Sequence, residues 1–306
     1  MFNRPRDLLR AYKNGFVGSW CDPEDTDKLL GELPHPLFGA AAANLYGSGE
    51  GKLALLYKSV QKFDPSFGPH EQQTTGDCVS HSTRTAVDVT RCHEIIGGQR
   101  EDFIARGATE AIYGARGHGG QGMSCSVAAR FVHQNGGILI RKNYGFVDLS
   151  KYNSSIGARW GSTGVPQNVI NEGKKHQVKT ISLINTVEQA RDAIANGYAL
   201  SVCSNYGFSS RRDKYGIAKR SGNWNHAMCW CGMDDTREIY NETLFLIQNS
   251  WGAFNSGPMR YEQPEGSFWI RESDARGMLA QSGSWVFSDV DGFPARKVQW
   301  TIDTVF

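Results

Sequence analysis

The sequence predicts an α+β fold, because helical and strand-like periods occupy different parts of the chain. Apolar residues first recur at three- and four-residue spacing, which is the period of a helix with one buried face. Later segments alternate, or run apolar with many β-branched and aromatic residues, as strands do. The predicted helices are 78–96, 124–134 and 187–196, and the predicted strands are 199–204, 227–233, 244–249 and 266–271. Helices followed by strands favour segregated layers over an alternating βαβ sheet.

Composition is that of an ordinary globular chain of 306 residues, with 40% hydrophobic and 21% charged residues. A net charge of +2 argues against a general nucleic-acid surface, so no nucleic-acid partner is expected. No apolar run is long enough to span a membrane, and the first residues do not resemble a signal peptide. Seven cysteines without a dense disulfide spacing favour mostly free thiols in a reducing compartment such as the cytoplasm.

Residues 1–65 read as an N-terminal extension, 66–290 as the main domain, and 291–306 as a C-terminal tail. Short helices are predicted over 6–13 and 22–30, whereas 53–60 fits a strand or a helix. The extension has no long charged helix, so control by an excised prodomain is not expected. An ordered packing arm, an inhibitory segment and an arm that binds assembly partners all remain open.

Three motifs carry candidate chemistry. Cys78 starts the longest predicted helix, where unpaired backbone N–H groups and the helix dipole favour a thiolate. His226 enters a predicted strand, and Asn249 ends another. A histidine can take the thiol proton, and an asparagine side chain can orient that histidine. Together they predict a Cys–His–Asn nucleophilic site, although each residue alone is more often structural.

Two further residues fit this site. Gln72 precedes Cys78 closely enough for its amide to join the Cys78 backbone N–H as an oxyanion donor. Trp251 can shield the bond between His226 and Asn249 from water. No cofactor is expected. Cys229 and Cys231, two apart on a strand, suggest zinc only weakly, because no second ligand pair has metal spacing.

The arrangement of these motifs resembles the papain-like cysteine peptidases over about residues 66–285. The matching motifs are Gln72…Gly76-Asp77-Cys78, Asn225-His226-Ala227 and Asn249-Ser250-Trp251-Gly252. Weaker similarities are Asn135-Gly136-Gly137-Ile138, Ala190…Gly197, Tyr215-Gly216-Ile217 and Gly266…Arg271. The resemblance implies two lobes, a helical one with Cys78 and a barrel-like one with His226 and Asn249. The active site would lie in the cleft between them.

The resemblance also implies a substrate-binding loop and a cleft wall. Gly119, Gly120 and Gly122 fall where the family binds extended substrate backbone, and a glycine there lets another chain approach closely. Trp224 and Asn225 are expected to line the cleft beside His226.

The chain departs from the family next to the nucleophile, where Asp77 replaces a small residue. A carboxylate facing the thiolate would oppose its ionisation. We expect Asp77 instead to cap the helix with its side chain.

The leading functional prediction is a thiol peptidase that hydrolyses peptide or protein substrates through an acyl-enzyme thioester. Two alternatives remain. One is a papain-fold structural or assembly component of a larger particle, for example a virion, that uses residues 1–65 to bind its partners. The other is a hydrolase of cell-wall peptides.

Overall fold

The computed structural model describes residues 1–65, 71–98 and 106–296. The helices are α1 Pro5–Lys13, α2 Pro23–Glu32, α3 Phe38–Ala41, α4 Tyr57–Phe63, α5 Cys78–Ile96, α6 Glu110–Gly114, α7 Cys125–Arg130, α8 Ser154–Thr163, α9 Gln167–Gly173, α10 Val187–Ala195 and α11 Glu272–Leu279. The strands are β1 Ser19–Trp20, β2 Leu53–Leu55, β3 Met123–Ser124, β4 Thr180–Leu183, β5 Leu200–Arg212, β6 Ala218–Asp234, β7 Leu244–Gln248, β8 Ser267–Arg271 and β9 Trp285–Ser288.

Seven of these strands form one sheet, in the order β4-β9-β5-β6-β7-β8, with β2 paired to β6. All of its pairings are antiparallel. The long strands β5 and β6 pair so that Ser204 lies opposite His226, with register shifts beyond that point. The predicted α+β class is confirmed, because helices lie beside one large antiparallel sheet.

Helix α5 lies at the centre of the molecule and is buried on every side from Cys78 to Glu94. It packs against strands β5, β6 and β9 and against helices α4, α6 and α7. Gly97 ends it, as the glycine pair in the sequence predicts. The amino end of a buried helix is thereby held against the sheet, which fixes the position of Cys78.

The first 65 residues pack on the main body in two different ways. Residues 53–60, which fitted either a strand or a helix, contain both, since β2 is followed directly by α4. Strand β2 extends the main sheet, with Leu53 opposite Asp234. Residues 1–21, which we call the arm, instead follow a separate path, and β1 pairs in parallel with β3. The domain boundaries at 65 and 290 stay a prediction, and residues 297–306 of the tail lie outside the described residues.

Several elements were not predicted from the sequence, among them α8, α11, β4 and β9. Helix α8 contains Gly157 and Gly161, which lower its helix propensity. Tertiary packing requires a residue without a side chain at both positions. A Cβ on Gly161 would lie 2.1 Å from the Arg116 guanidinium, and a Cβ on Gly157 would lie 3.1 Å from the Glu110 carbonyl. Close packing therefore overrides local propensity in this helix.

Five of the seven cysteines are free, in line with the prediction of mostly free thiols. Cys125 at the start of α7 and Cys203 on β5 form a disulfide. Disulfides persist mainly in oxidising environments, so this bond counts against the reducing compartment inferred from the sequence. Among the described residues, no helix is both long and apolar enough to cross a membrane.

Candidate active site

The structure brings together the cysteine, histidine and asparagine predicted from the sequence. Cys78 begins α5, His226 lies on β6, and Asn249 directly follows β7. His226 Nε2 lies 2.9 Å from Asn249 Oδ1, and that oxygen also accepts the Ser250 backbone N–H at 2.8 Å. All three side chains are fully buried.

These contacts fix the protonation of the imidazole. An amide oxygen only accepts hydrogen bonds, so His226 Nε2 must carry the hydrogen and Nδ1 must present its lone pair. That lone pair is the group that would take a proton from a nearby thiol. The asparagine therefore gives His226 the tautomer that a cysteine nucleophile needs.

The Tyr12 hydroxyl of the arm lies between the two reactive groups. It is 3.2 Å from His226 Nδ1 and 3.6 Å from Cys78 Sγ. The Tyr12 ring meets His226 edge-on and lies against Trp251, with centroid distances of 5.1 and 5.2 Å. A hydroxyl of the arm thus occupies the position between Cys78 Sγ and His226 Nδ1 through which the thiol proton would pass.

The backbone of the arm crosses the cleft at Gly18. Its N–H donates to the Asn225 carbonyl at 3.0 Å, and its carbonyl accepts from the Met123 N–H at 3.2 Å. A Cβ on Gly18 would lie 2.0 Å from the Tyr12 hydroxyl and 2.9 Å from Cys78 Sγ. Only glycine allows the main chain to pass this close to the thiol. The arm therefore joins β3 of the helical region to the strand that carries His226, directly over the nucleophile.

Burial keeps both reactive groups uncharged in this covered state. Burial raises the pKa of Cys78 to about 12, although hydrogen bonds from the Ala227 backbone and Tyr12 oppose the increase, and the Asp77 charge adds to it. Burial also lowers the pKa of His226 to about 4, despite its bond with Asn249. A low-dielectric site without a compensating charge disfavours the thiolate–imidazolium pair.

Trp251 lies where the sequence predicts it, and the oxyanion role of Gln72 stays a prediction. A Cβ on Gly252 would lie 3.3 Å from Gln72 Oε1, so this side chain borders the turn that follows Asn249. The neighbouring Gln73 fixes that turn, since its N–H donates to the Ser250 carbonyl at 2.8 Å. The Trp251 ring covers His226 at a centroid distance of 4.8 Å and is fully buried.

Two of the residues predicted to line the cleft contact the arm. Gly122 has φ +78°, and a Cβ on it would lie 2.7 Å from the Val17 carbonyl. Asn225 accepts the hydrogen bond from Gly18. Both residues therefore contact an extended chain in the cleft.

Gly119, Gly120 and Trp224 do not make such contacts. Gly119 lies beside Ser162, and the Gly120 carbonyl accepts from Arg116 Nε at 3.0 Å. Trp224 is buried against Trp251, Phe208 and Phe254, so it supports the site from within the core.

Asp77 does not cap α5 with its side chain, and the sequence expectation is wrong on this point. It occupies the cap position, but the carboxylate accepts from the Tyr152 hydroxyl at 2.8 Å and lies 3.4 Å from His81 Nε2. His81 is one turn along the same helix, whereas Tyr152 lies in a distant loop and is brought to the carboxylate only by the fold. The buried Asp77 carboxylate is thereby held by Tyr152 and His81, next to the nucleophile in the chain.

Sequence reasoning missed Tyr12, Gly18 and Tyr152. Tyr12 is a buried apolar-face residue of a short helix, and Gly18 resembles any loop glycine. Nothing in their local sequence indicates a contact with Cys78, because the contact spans the cleft.

Comparison with solved structures identifies the fold. Xylellain, a cysteine protease from Xylella fastidiosa, matches with a TM-score of 0.52 and 18% identity, over 80% of this chain and 89% of its own. Procathepsin B S9 from Trypanosoma congolense matches with a TM-score of 0.54 and 12% identity, over 91% and 87%. No protein-family model and no curated protein sequence matches the chain. The chain therefore adopts the fold of the papain-like cysteine proteases.

Proposed function

We propose that this chain is a papain-type cysteine peptidase that is held latent by its own arm. The observation that carries the proposal is the set of contacts around His226. Its Nε2 is oriented by Asn249, and its Nδ1 faces a hydroxyl of the arm beside the Cys78 thiol. The remainder of the cleft suits an extended peptide, because an extended chain already lies in it at Gly18.

Release of the arm is the first step. When Tyr12 leaves, water enters and the burial that keeps Cys78 and His226 neutral is relieved. The thiol proton then passes to His226 Nδ1, and the helix dipole of α5 favours the resulting thiolate. Asn249 continues to accept from Nε2–H, so the imidazolium stays oriented.

Acylation follows on a peptide carbonyl bound in the cleft. The Cys78 sulfur forms a bond to the carbonyl carbon, and the oxyanion is stabilised by the Cys78 backbone N–H and the Gln72 amide. His226 then donates its proton to the leaving amine, and the C–N bond breaks. The product is a thioester on Cys78.

Deacylation uses the same groups in reverse. His226 takes a proton from a water molecule, which attacks the thioester carbonyl. The second oxyanion collapses, the C–S bond breaks, and the sulfur regains a proton. The acid product leaves, and the arm or a new substrate can occupy the cleft.

The test uses the full chain with Tyr12→Ala, which removes the hydroxyl and ring that cover the site. We expect this variant to hydrolyse a peptide library and to react at Cys78 with a thiol-reactive peptidyl probe. In the same background, Cys78→Ala and His226→Ala should abolish turnover, whereas Asn249→Ala should only weaken it, because the imidazole remains but loses its orienter. Product analysis by mass spectrometry gives the cleaved bonds.

Hydrogen exchange of the arm amides shows whether the arm has left the cleft in this variant. If these amides exchange freely in Tyr12→Ala and Cys78 still fails to react, the peptidase proposal is wrong. That outcome would favour the assembly role predicted as an alternative. Release of fragments from cell-wall material, but not from peptides, would instead assign a wall-peptide substrate to the same site.

A further inference from the structure

Three cysteines converge where the arm meets the body. Strands β1 and β3 pair in parallel, with Ser19 opposite Met123 and Trp20 opposite Ser124. The next residue on each side is a cysteine, Cys21 on the arm and Cys125 on α7. Cys125 is already bonded to Cys203 on β5. The arm thus brings a free thiol to the only disulfide among the described residues.

Cys21 and Cys203 have a common neighbour, Gly283. A Cβ on Gly283 would lie 3.4 Å from the Cys21 Cβ and 3.3 Å from the Cys203 Cβ. Both cysteine residues therefore pack against the same position of the loop at Gly283. They also line the same cavity of about 200 Å³, next to Asn225 of the active-site strand.

The Cys21 thiol has no covalent partner and is partly exposed. Its sulfur lies 3.2 Å from the Ser282 carbonyl, to which it donates, and 3.8 Å from Thr26 Oγ1. These are weak contacts, and Ser282 adjoins Gly283, so the thiol already points along the loop that borders Cys203. A disulfide joins Cβ atoms about 4 Å apart, so the exchange brings Cys21 and Cys203 to that separation.

We infer that Cys21 and the Cys125–Cys203 bond form a thiol–disulfide exchange site. Cys21 loses its proton to solvent, and its thiolate attacks the Cys203 sulfur. The new Cys21–Cys203 bond forms as the Cys125–Cys203 bond breaks, and Cys125 leaves as a thiolate that takes up a proton. The number of disulfides and thiols is unchanged, so the step needs no oxidant or reductant.

The exchange changes how the arm is held. Before it, the arm is bound by non-covalent contacts alone. After it, residue 21 is cross-linked to β5, and the arm is held across the cleft over Cys78. Burial raises the pKa of Cys21, so little thiolate is present near neutral pH and the exchange proceeds over minutes to hours.

The first test maps the disulfides of the full chain carrying Cys78→Ala, which removes the other thiol in the cleft. The protein is purified without reductant, held in mildly alkaline buffer, alkylated with N-ethylmaleimide and digested for mass spectrometry. We expect two linked species, Cys125–Cys203 and Cys21–Cys203, with N-ethylmaleimide on Cys125 in the second. Adding Cys21→Ser should remove the second species, and adding Cys92→Ser, which removes a buried thiol of α5, should leave both.

A second variant tests the geometry directly. With Cys125→Ser and oxidised glutathione, we expect Cys203 to bond to Cys21, and the arm amides to exchange about tenfold more slowly than after reduction. The inference is overturned if every linked Cys203 in the first test is joined to Cys125. It is equally overturned if Cys203 of the second variant carries only glutathione. Neither readout requires peptidase activity, so failure of the exchange and failure of the proposed function are separate results.

Discussion

Helix α5 carries two buried polar clusters that differ in how their charges are arranged. At its amino end is the active-site cluster of Cys78, His226, Asn249 and Tyr12, with hydrogen bonds but no opposite charges. Nearly two turns further along the helix, Arg84 belongs to an ion-pair cluster. That cluster consists of Glu71, Arg84, Asp88, Glu110 and Arg141, with ion-pair distances from 2.7 to 3.6 Å.

Burial has opposite consequences in the two clusters. In the active-site cluster, burial keeps the thiol and the imidazole neutral. In the ion-pair cluster, burial opposes the charge of Glu71, but Arg84 and Arg141 hold the pKa of that carboxyl below its usual range. An opposite charge within about 4 Å offsets desolvation. Burial still raises the pKa of Asp88, whose ion pair with Arg84 is longer, at 3.6 Å. The active-site cluster has no opposite charges, so its protonation depends on whether the arm covers it.

The largest expected effect comes from breaking the ion-pair cluster. Arg141→Met leaves Glu110, which is 1% exposed, without its guanidinium partner. We expect a loss of about 3–5 kcal/mol in the free energy of unfolding, measured with urea. Arg276→Met breaks an exposed pair and should change stability by no more than about 1 kcal/mol. Equal effects of the two variants would contradict the distinction between buried and exposed pairs.

Gly18→Ala tests how tightly the arm covers the other cluster. The added methyl would lie 2.0 Å from the Tyr12 hydroxyl, so the arm must move away from the thiol. Overpacking on the order of 3 kcal/mol should speed alkylation of Cys78 by iodoacetamide about a hundredfold. The matched control is Gly31→Ala, because a methyl there meets no atom within 4 Å. An unchanged alkylation rate in Gly18→Ala would show that the arm does not protect Cys78.

The pH dependence of stability should reveal the neutral His226. Its pKa falls from 6.5 in the unfolded chain to about 4 in the covered state. Between these values the unfolded chain binds a proton that the folded chain does not, so stability rises with pH. The contribution of roughly 3 kcal/mol is complete above the unfolded pKa and is lost as the pH falls towards the folded one.

The measurement is urea unfolding of the wild type and His226→Gln across this pH range. We expect the difference between the two proteins to shrink as the pH falls, since only the wild type carries the titrating group. The groups that face His226 are Tyr12, Cys78, Asn249 and, at longer range, His81, and both proteins contain them. A difference that stays constant with pH would mean that His226 is not buried in its neutral form.

The smallest expected effect concerns the carboxylate of Asp77. Tyr152→Phe removes the hydrogen bond to Asp77 and the acceptor for the Thr74 N–H at 3.1 Å. We expect a loss of about 1–2 kcal/mol in the free energy of unfolding. Tyr46→Phe, at a residue 82% exposed, serves as the control and should leave stability unchanged. An unchanged free energy of unfolding in Tyr152→Phe would show that Asp77 is held by its other contacts.

The sequence predicted the long helix and the main strands well, because their periodic apolar faces are strong local signals. It was less successful where packing overrides propensity, as in α8 with its two glycines. At the site, Cys78, His226 and Asn249 were recognisable as residue types suited to one reaction and in an order that resembles a known family. Asp77 was misjudged, because a capping preference is local, whereas its hydrogen-bond partner Tyr152 is far away in the chain.

By itself, the sequence determined which side chains could perform thiol chemistry and in which helices and strands they lie. It did so because helix starts, strand periods and turn residues are encoded within a few neighbours of each position. The tertiary structure alone decided that Tyr12 and Gly18 lie over Cys78, that burial keeps the thiol and imidazole neutral, and that Cys21 lines the same cavity as the disulfide-bonded Cys203. These are contacts between distant parts of the chain, and burial and electrostatics are properties of the packed molecule.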